Sequence, residues 1–123
     1  MIKPILALGF VLILFACTSN TGVFIDPSVT IEVQAGERFT IELDSNATTG
    51  YSWVLGNPVD ENILRLVHSD YISPKNGLSG AGGNQVWVFE ALHPGTTTIV
   101  LEYKRSWETE PPIQTADYII HVK

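Results

Sequence analysis

Apolar and polar side chains alternate with a period of two through almost everything that follows Val29, and this pattern limits the fold more than any other feature of the chain. Val29, Ile31 and Val33 alternate with Thr30 and Glu32. A turn at Ala35-Gly36 follows, and then Phe39, Ile41 and Leu43 alternate with Thr40 and Glu42. Such alternation describes strands with one buried face. It puts Tyr51, Trp53 and Leu55 on one side, and Gln85, Trp87 and Phe89 opposite Val86 and Val88. It groups Thr97, Ile99, Leu101 and Tyr103, and sets Tyr118, Ile120 and Val122 opposite Ile119 and His121. The run "ILRLVH" from Ile63 is shorter. The expected strands are 29–33, 38–44, 51–55, 62–69, 84–91, 96–105 and 115–122. No segment beyond the N-terminal leader shows a helical period, and there is no internal repeat. Seven to eight strands with frequent turns predict an all-β fold, an immunoglobulin-like antiparallel β-sandwich. Cys17 is the only cysteine, so no disulfide supports it.

The first residues, "MIKPILALGFVLILFAC", are a separate unit. Lys3 supplies a positive start, Pro4 to Phe15 is an almost unbroken apolar run, and Ala16 is small. The run is a secretory leader, too short to span a bilayer as a helix. An unpaired cysteine in an exported chain needs its own explanation. "LFAC" resembles a bacterial lipobox, in which the leader is cut before the cysteine and the new N-terminus is lipidated. Residues 1–16 are then a signal peptide, Cys17 is the lipidation site, 17–27 form a polar tether, and 28–123 form the domain. The expected location is the cell envelope, with the protein held at the membrane through its lipid. If the lipobox is not used, Cys17 has no role and the protein is secreted.

Without Lys3 the chain has six basic against thirteen acidic side chains, a formal charge of −7. That excess disfavours nucleic acid and electrostatic attachment to anionic lipid. His68, His93 and His121 are scattered, and they form no metal site of standard spacing with one leader cysteine. No paired-carboxylate, Ser-His-Asp or Cys-His constellation is present. The chemistry describes a binder and not an enzyme, and no cofactor is expected.

Strand parity locates the binding face. If consecutive strands reverse direction, every second link falls at the same end. One end then collects "NATTG" (46–50), "YISPKNGLSGAGG" (71–83) and "SWETEPPIQ" (106–114), while the other receives ordinary turns, "GNPVDE" and "LHPG". Asn46 can start a turn with its own side chain. Thr48 and Thr49 are stiff at χ1 and carry hydroxyls, and Gly50 permits positive φ. In the second loop, bare glycine backbone can approach a partner closely, although a flexible linker has the same composition. In the third, Arg105 and Trp107 are types enriched at interface hot spots, although Trp107 could also fold back onto the sandwich. Trp53 and Trp87 occupy strand positions and read as core. Asn46-Ala47-Thr48 also fits an N-glycosylation pattern, which an exported bacterial lipoprotein does not normally use.

Three of these segments, in this order on such a sandwich, resemble the chagasin family of cysteine-protease inhibitors. The family's signatures are an N-P-T-T-G-Y-type loop, a G-x-G-G loop and an R-P-W loop. Here they correspond to Asn46, Ala47, Thr48, Thr49, Gly50 and Tyr51; to Gly80, Ala81, Gly82 and Gly83; and to Arg105, Ser106 and Trp107. Ala47 and Ser106 stand where the family has proline. The resemblance implies a reversible, tight-binding inhibitor of papain-like cysteine proteases, expected to act as a monomer. Thr48 and Thr49 would approach the catalytic thiol and histidine, flanked by the glycine loop and Trp107. Two other classes fit a sandwich with exposed loops: a surface module binding carbohydrate or protein, and a structural envelope lipoprotein.

Overall fold

A computed structural model describes residues 20–74 and 82–123. The leader, Cys17, Gly80 and Ala81 lie outside the described residues. Eight strands follow one another: β1 (Asn20–Phe24), β2 (Ile31–Val33), β3 (Arg38–Ser45), β4 (Ser52–Leu55), β5 (Leu64–Ile72), β6 (Gly83–Ala91), β7 (Gly95–Lys104) and β8 (Gln114–Val122). They form two four-stranded sheets, in the orders β1-β3-β6-β5 and β2-β8-β7-β4. The only helical segment among the described residues is one 3₁₀ turn, Ala47–Thr49.

The core fills the space between the sheets with the alternate residues expected. Ile31, Phe39, Ile41, Phe89, Leu101 and Ile120 are fully buried, and Trp53 and Trp87 are nearly so. Phe39 stacks on Phe89 at 5.6 Å between ring centroids. Each large apolar side chain removed from water contributes about 1.5–3 kcal/mol.

Three expectations need correction. The sheets are mixed, because β1 pairs with β3 in parallel and β2 pairs with β8 in parallel. Direction still reverses from strand to strand, so two strands running the same way become neighbours once others cross to the opposite sheet. The segment 17–27 is not tether throughout, since Asn20–Phe24 adds to the edge of β3. Phe24 then meets Phe39 edge to face at 6.4 Å. Nothing local in "NTGVF" demands a strand; the unpaired edge of β3 supplies the partner. Val29 does not begin a buried strand. It is 49% exposed and sits in a turn where Ser28 N donates to Asp26 Oδ1, and pairing starts only at Ile31.

Tyr118 on β8 is fully buried, and its hydroxyl donates to the Ile25 carbonyl at 2.9 Å. That bond fastens the crossing from β1 to β2. Burial, with the Asp26 carboxylate nearby, pushes the Tyr118 hydroxyl up to about 12 from 10.0. A phenol held neutral in the fold adds stability below its unfolded value, and that stability is lost as pH rises through the folded value. Urea midpoints should therefore fall between about pH 10 and 12, and Tyr118→Phe should flatten that fall. An unchanged slope in Tyr118→Phe would remove this residue from the account.

Candidate functional site

The link between β3 and β4 is closed by its own side chains. Asn46 caps the 3₁₀ turn, accepting from Thr48 N at 3.1 Å and from Thr48 Oγ1 at 2.6 Å. Thr49 Oγ1 donates to the Asn46 carbonyl at 2.7 Å and accepts from Tyr51 N at 3.3 Å. Gly50 leaves the turn at φ 78°, with its N–H on the Ala47 carbonyl at 3.2 Å. Both threonine hydroxyl protons are thus spent inside the loop. Both threonines are exposed, so their methyl groups and remaining lone pairs are open to a partner. Ala47 lacks the ring of a proline, and the turn is held closed by the bonds among Asn46, Thr48 and Thr49.

The third loop clamps the first. Arg105 Nε donates to the Thr49 carbonyl at 3.0 Å, its guanidinium lies 4.4 Å over the Tyr51 ring, and Nη1 pairs with Glu108 at 3.2 Å. Arg105, read from sequence as a contact residue, is largely engaged within the molecule. Beneath it the rings continue: Tyr51 to Tyr103 at 5.5 Å, and Tyr103 to Trp53 at 5.0 Å. The Tyr103 hydroxyl accepts from Asn46 N at 3.1 Å, and Trp53 Nε1 donates to the Asp44 carbonyl at 2.9 Å. Ser106 and Trp107 are exposed, Trp107 at 69%. The Trp107 ring edge lies over Gly50, where an added Cβ would run into Cη2 and stand 3.1 Å from Cζ2. Only glycine satisfies both the backbone angle and the indole above it.

The glycine loop rejoins the fold beside this tip. Gly83 pairs with Ser45, and a Cβ on Gly83 would meet the Ile72 carbonyl and stand 2.6 Å from the Tyr71 hydroxyl. Gly82 is exposed, close to the Ser45 carbonyl. Between the two loops runs a groove of about 470 Å³, lined by Asp44, Asn46, Gly82, Asn84, Tyr103 and Gln114 among others. The described parts of all three loops therefore share one end of the sandwich. Sequence reasoning missed Tyr103 and Gln85, which hold the site from behind. Their placement on the inward face of strands was visible, but their partners were not.

Residues 32–122 match the family model for chagasin family peptidase inhibitors. The chain belongs to the chagasin family. Chagasin from Trypanosoma cruzi is 31% identical over 97 residues, covering 76% of this chain and 87% of chagasin. The cysteine protease inhibitor EhICP2 from Entamoeba histolytica shares the fold with a TM-score of 0.68 at 21% identity, over 83% of this chain and 96% of EhICP2. PbICP-C, solved in complex with falcipain-2, superposes with a TM-score of 0.56 at 21% identity, over 86% of this chain and 91% of its own.

Proposed function

We propose that the chain is a reversible, tight-binding inhibitor of papain-like cysteine proteases, and that it fills the active-site cleft with the Asn46–Tyr51 tip. The observation that carries this reading is the clasped tip itself. The carbonyls of Asn46, Ala47 and Thr49 already accept hydrogen bonds from Thr49, Gly50 and Arg105. A protease cuts an extended segment whose carbonyl reaches its oxyanion donors. A 3₁₀ turn with occupied carbonyls can sit beside the thiol and histidine without being attacked. Thr48 and Thr49 are the wedge, with the glycine loop on one flank and Trp107 on the other.

Titration of the mature protein into papain with a fluorogenic substrate tests this. Activity should fall to a stoichiometric end point, and the inhibitor should be recovered uncut after prolonged incubation. Undiminished activity at micromolar inhibitor, or cleavage within 46–51, would refute the mechanism.

The proposal extends to an anchor at Cys17. The direction of β1 supports it: Asn20 lies beside Arg38, at the base of the sandwich where β3 begins. Cys17 stands three residues before Asn20, a reach of about 10 Å at most. β3 rises about 23 Å from Arg38 to Ser45, so the loops would face away from the bilayer. Cys17→Ser should move the protein from the membrane to the soluble fraction. Lipidated protein on vesicles should inhibit soluble papain as well as the free domain does. Equal membrane retention of Cys17→Ser would end the anchor reading and leave the inhibitor reading untouched.

A further inference from the structure

β4 is an edge strand of only four residues, yet it carries one stem of the tip. Gly56 N donates to the Val100 carbonyl, and bonding alternates along an antiparallel pair, so Trp53 turns its N–H and carbonyl to the free edge. Unpaired groups on such an edge ordinarily go to water or to another chain. Here one side chain from the opposite sheet takes both. Gln85 on β6 accepts from Trp53 N through Oε1 at 2.7 Å and donates through Nε2 to the Trp53 carbonyl at 3.2 Å. Because a backbone N–H can only donate, the amide orientation follows from this contact. The same Oε1 accepts from Ser45 Oγ at 2.8 Å, and Ser45, nearly buried, ends the other stem on β3.

We infer that Gln85 is a positioning residue for the inhibitory tip: its amide stands in for a missing neighbouring strand and ties both stems of the loop to one point. The inference rests on the inhibitor reading for its functional consequence, and on geometry alone for the positioning. Glutamate at this position would keep the acceptor and lose the donor. Methionine would match the length and lose both. With neither group, Trp53 has no edge partner, Ser45 Oγ has no acceptor, and the tip can shift relative to Arg105 and Trp107 without the core coming apart.

The test compares Gln85→Met and Gln85→Glu with Ile120→Val, a core change at the base. Residue-resolved amide exchange, thermal melting and papain inhibition are measured on the mature chain. In Gln85→Met, exchange at Thr48, Thr49, Tyr51 and Trp53 should quicken by about tenfold or more, and inhibition should weaken by about tenfold. Gln85→Glu should lie between that variant and the parent. Ile120→Val should move melting with little effect on either loop readout. If the loop loosens no more in Gln85→Met than in Ile120→Val, the role is structural and the inference is overturned. Failure of both Gln85 variants to fold also overturns it, since Gln85 would then be a determinant of the fold. Should the parent itself not inhibit papain, the exchange data still decide the positioning while the inhibitor reading fails separately.

Discussion

Deleting Thr48 and Thr49 should weaken papain inhibition by about a hundredfold or more, equivalent to roughly 2.7 kcal/mol, and leave the sandwich folded. The deletion removes two of the three residues of the 3₁₀ turn and every bond that Thr48 and Thr49 donate to Asn46. It also removes the carbonyl on which Arg105 closes. β3 and β4 belong to different sheets, and packed sheets lie about 10 Å apart. A link with two fewer residues must run flat across that gap, so nothing projects. Neither threonine is buried, which is why the core should not notice. Inhibition constants and urea midpoints measured together decide the matter. A shortened protein that inhibits like its parent would show that the tip is not the wedge.

Trp107→Ala should cost about 2 kcal/mol of binding, near thirtyfold. Tryptophan supplies large, rigid contact area, and a few such anchors dominate most interfaces. Its exposure argues that the side chain is held ready for a partner rather than spent on the fold. Its close approach to Gly50 lies within the same end face. The variant should therefore melt close to the parent. Loss of folding in Trp107→Ala would make the indole a structural lid over the tip. Unchanged inhibition with intact folding would shift the anchoring role to the glycine loop.

Fold class was legible because burial of alternate residues is a local pattern. Phe39, Ile41 and Leu43 on β3, and Tyr118, Ile120 and Val122 on β8, announce an inward face whatever lies across from them. Reversal of direction at each turn then places the three unusual loops at one end, and the described residues lie there. Trp53 and Trp87 were recognisable as core by the same alternation. The tip's stiffness was partly legible too, because Asn46 and Gly50 carry turn chemistry in their own side chains and backbone.

What the residues alone could not decide is what lies beside each strand. β1 exists because β3 has an open edge, and β2 lies parallel to β8 because the chain crosses between sheets before Ile31. Those are pairings between distant segments, and no local periodicity encodes them. Arg105 reads as a free cation until its guanidinium is found on the Thr49 carbonyl and the Tyr51 ring. Gln85 reads as a polar interruption of a buried face until the free edge of β4 is found across from it. Hydrophobic burial is non-directional and leaves its mark in composition and spacing. Hydrogen bonds and edge pairing are directional, and their partners here lie 32 to 57 residues away, so only the assembled sandwich determines them.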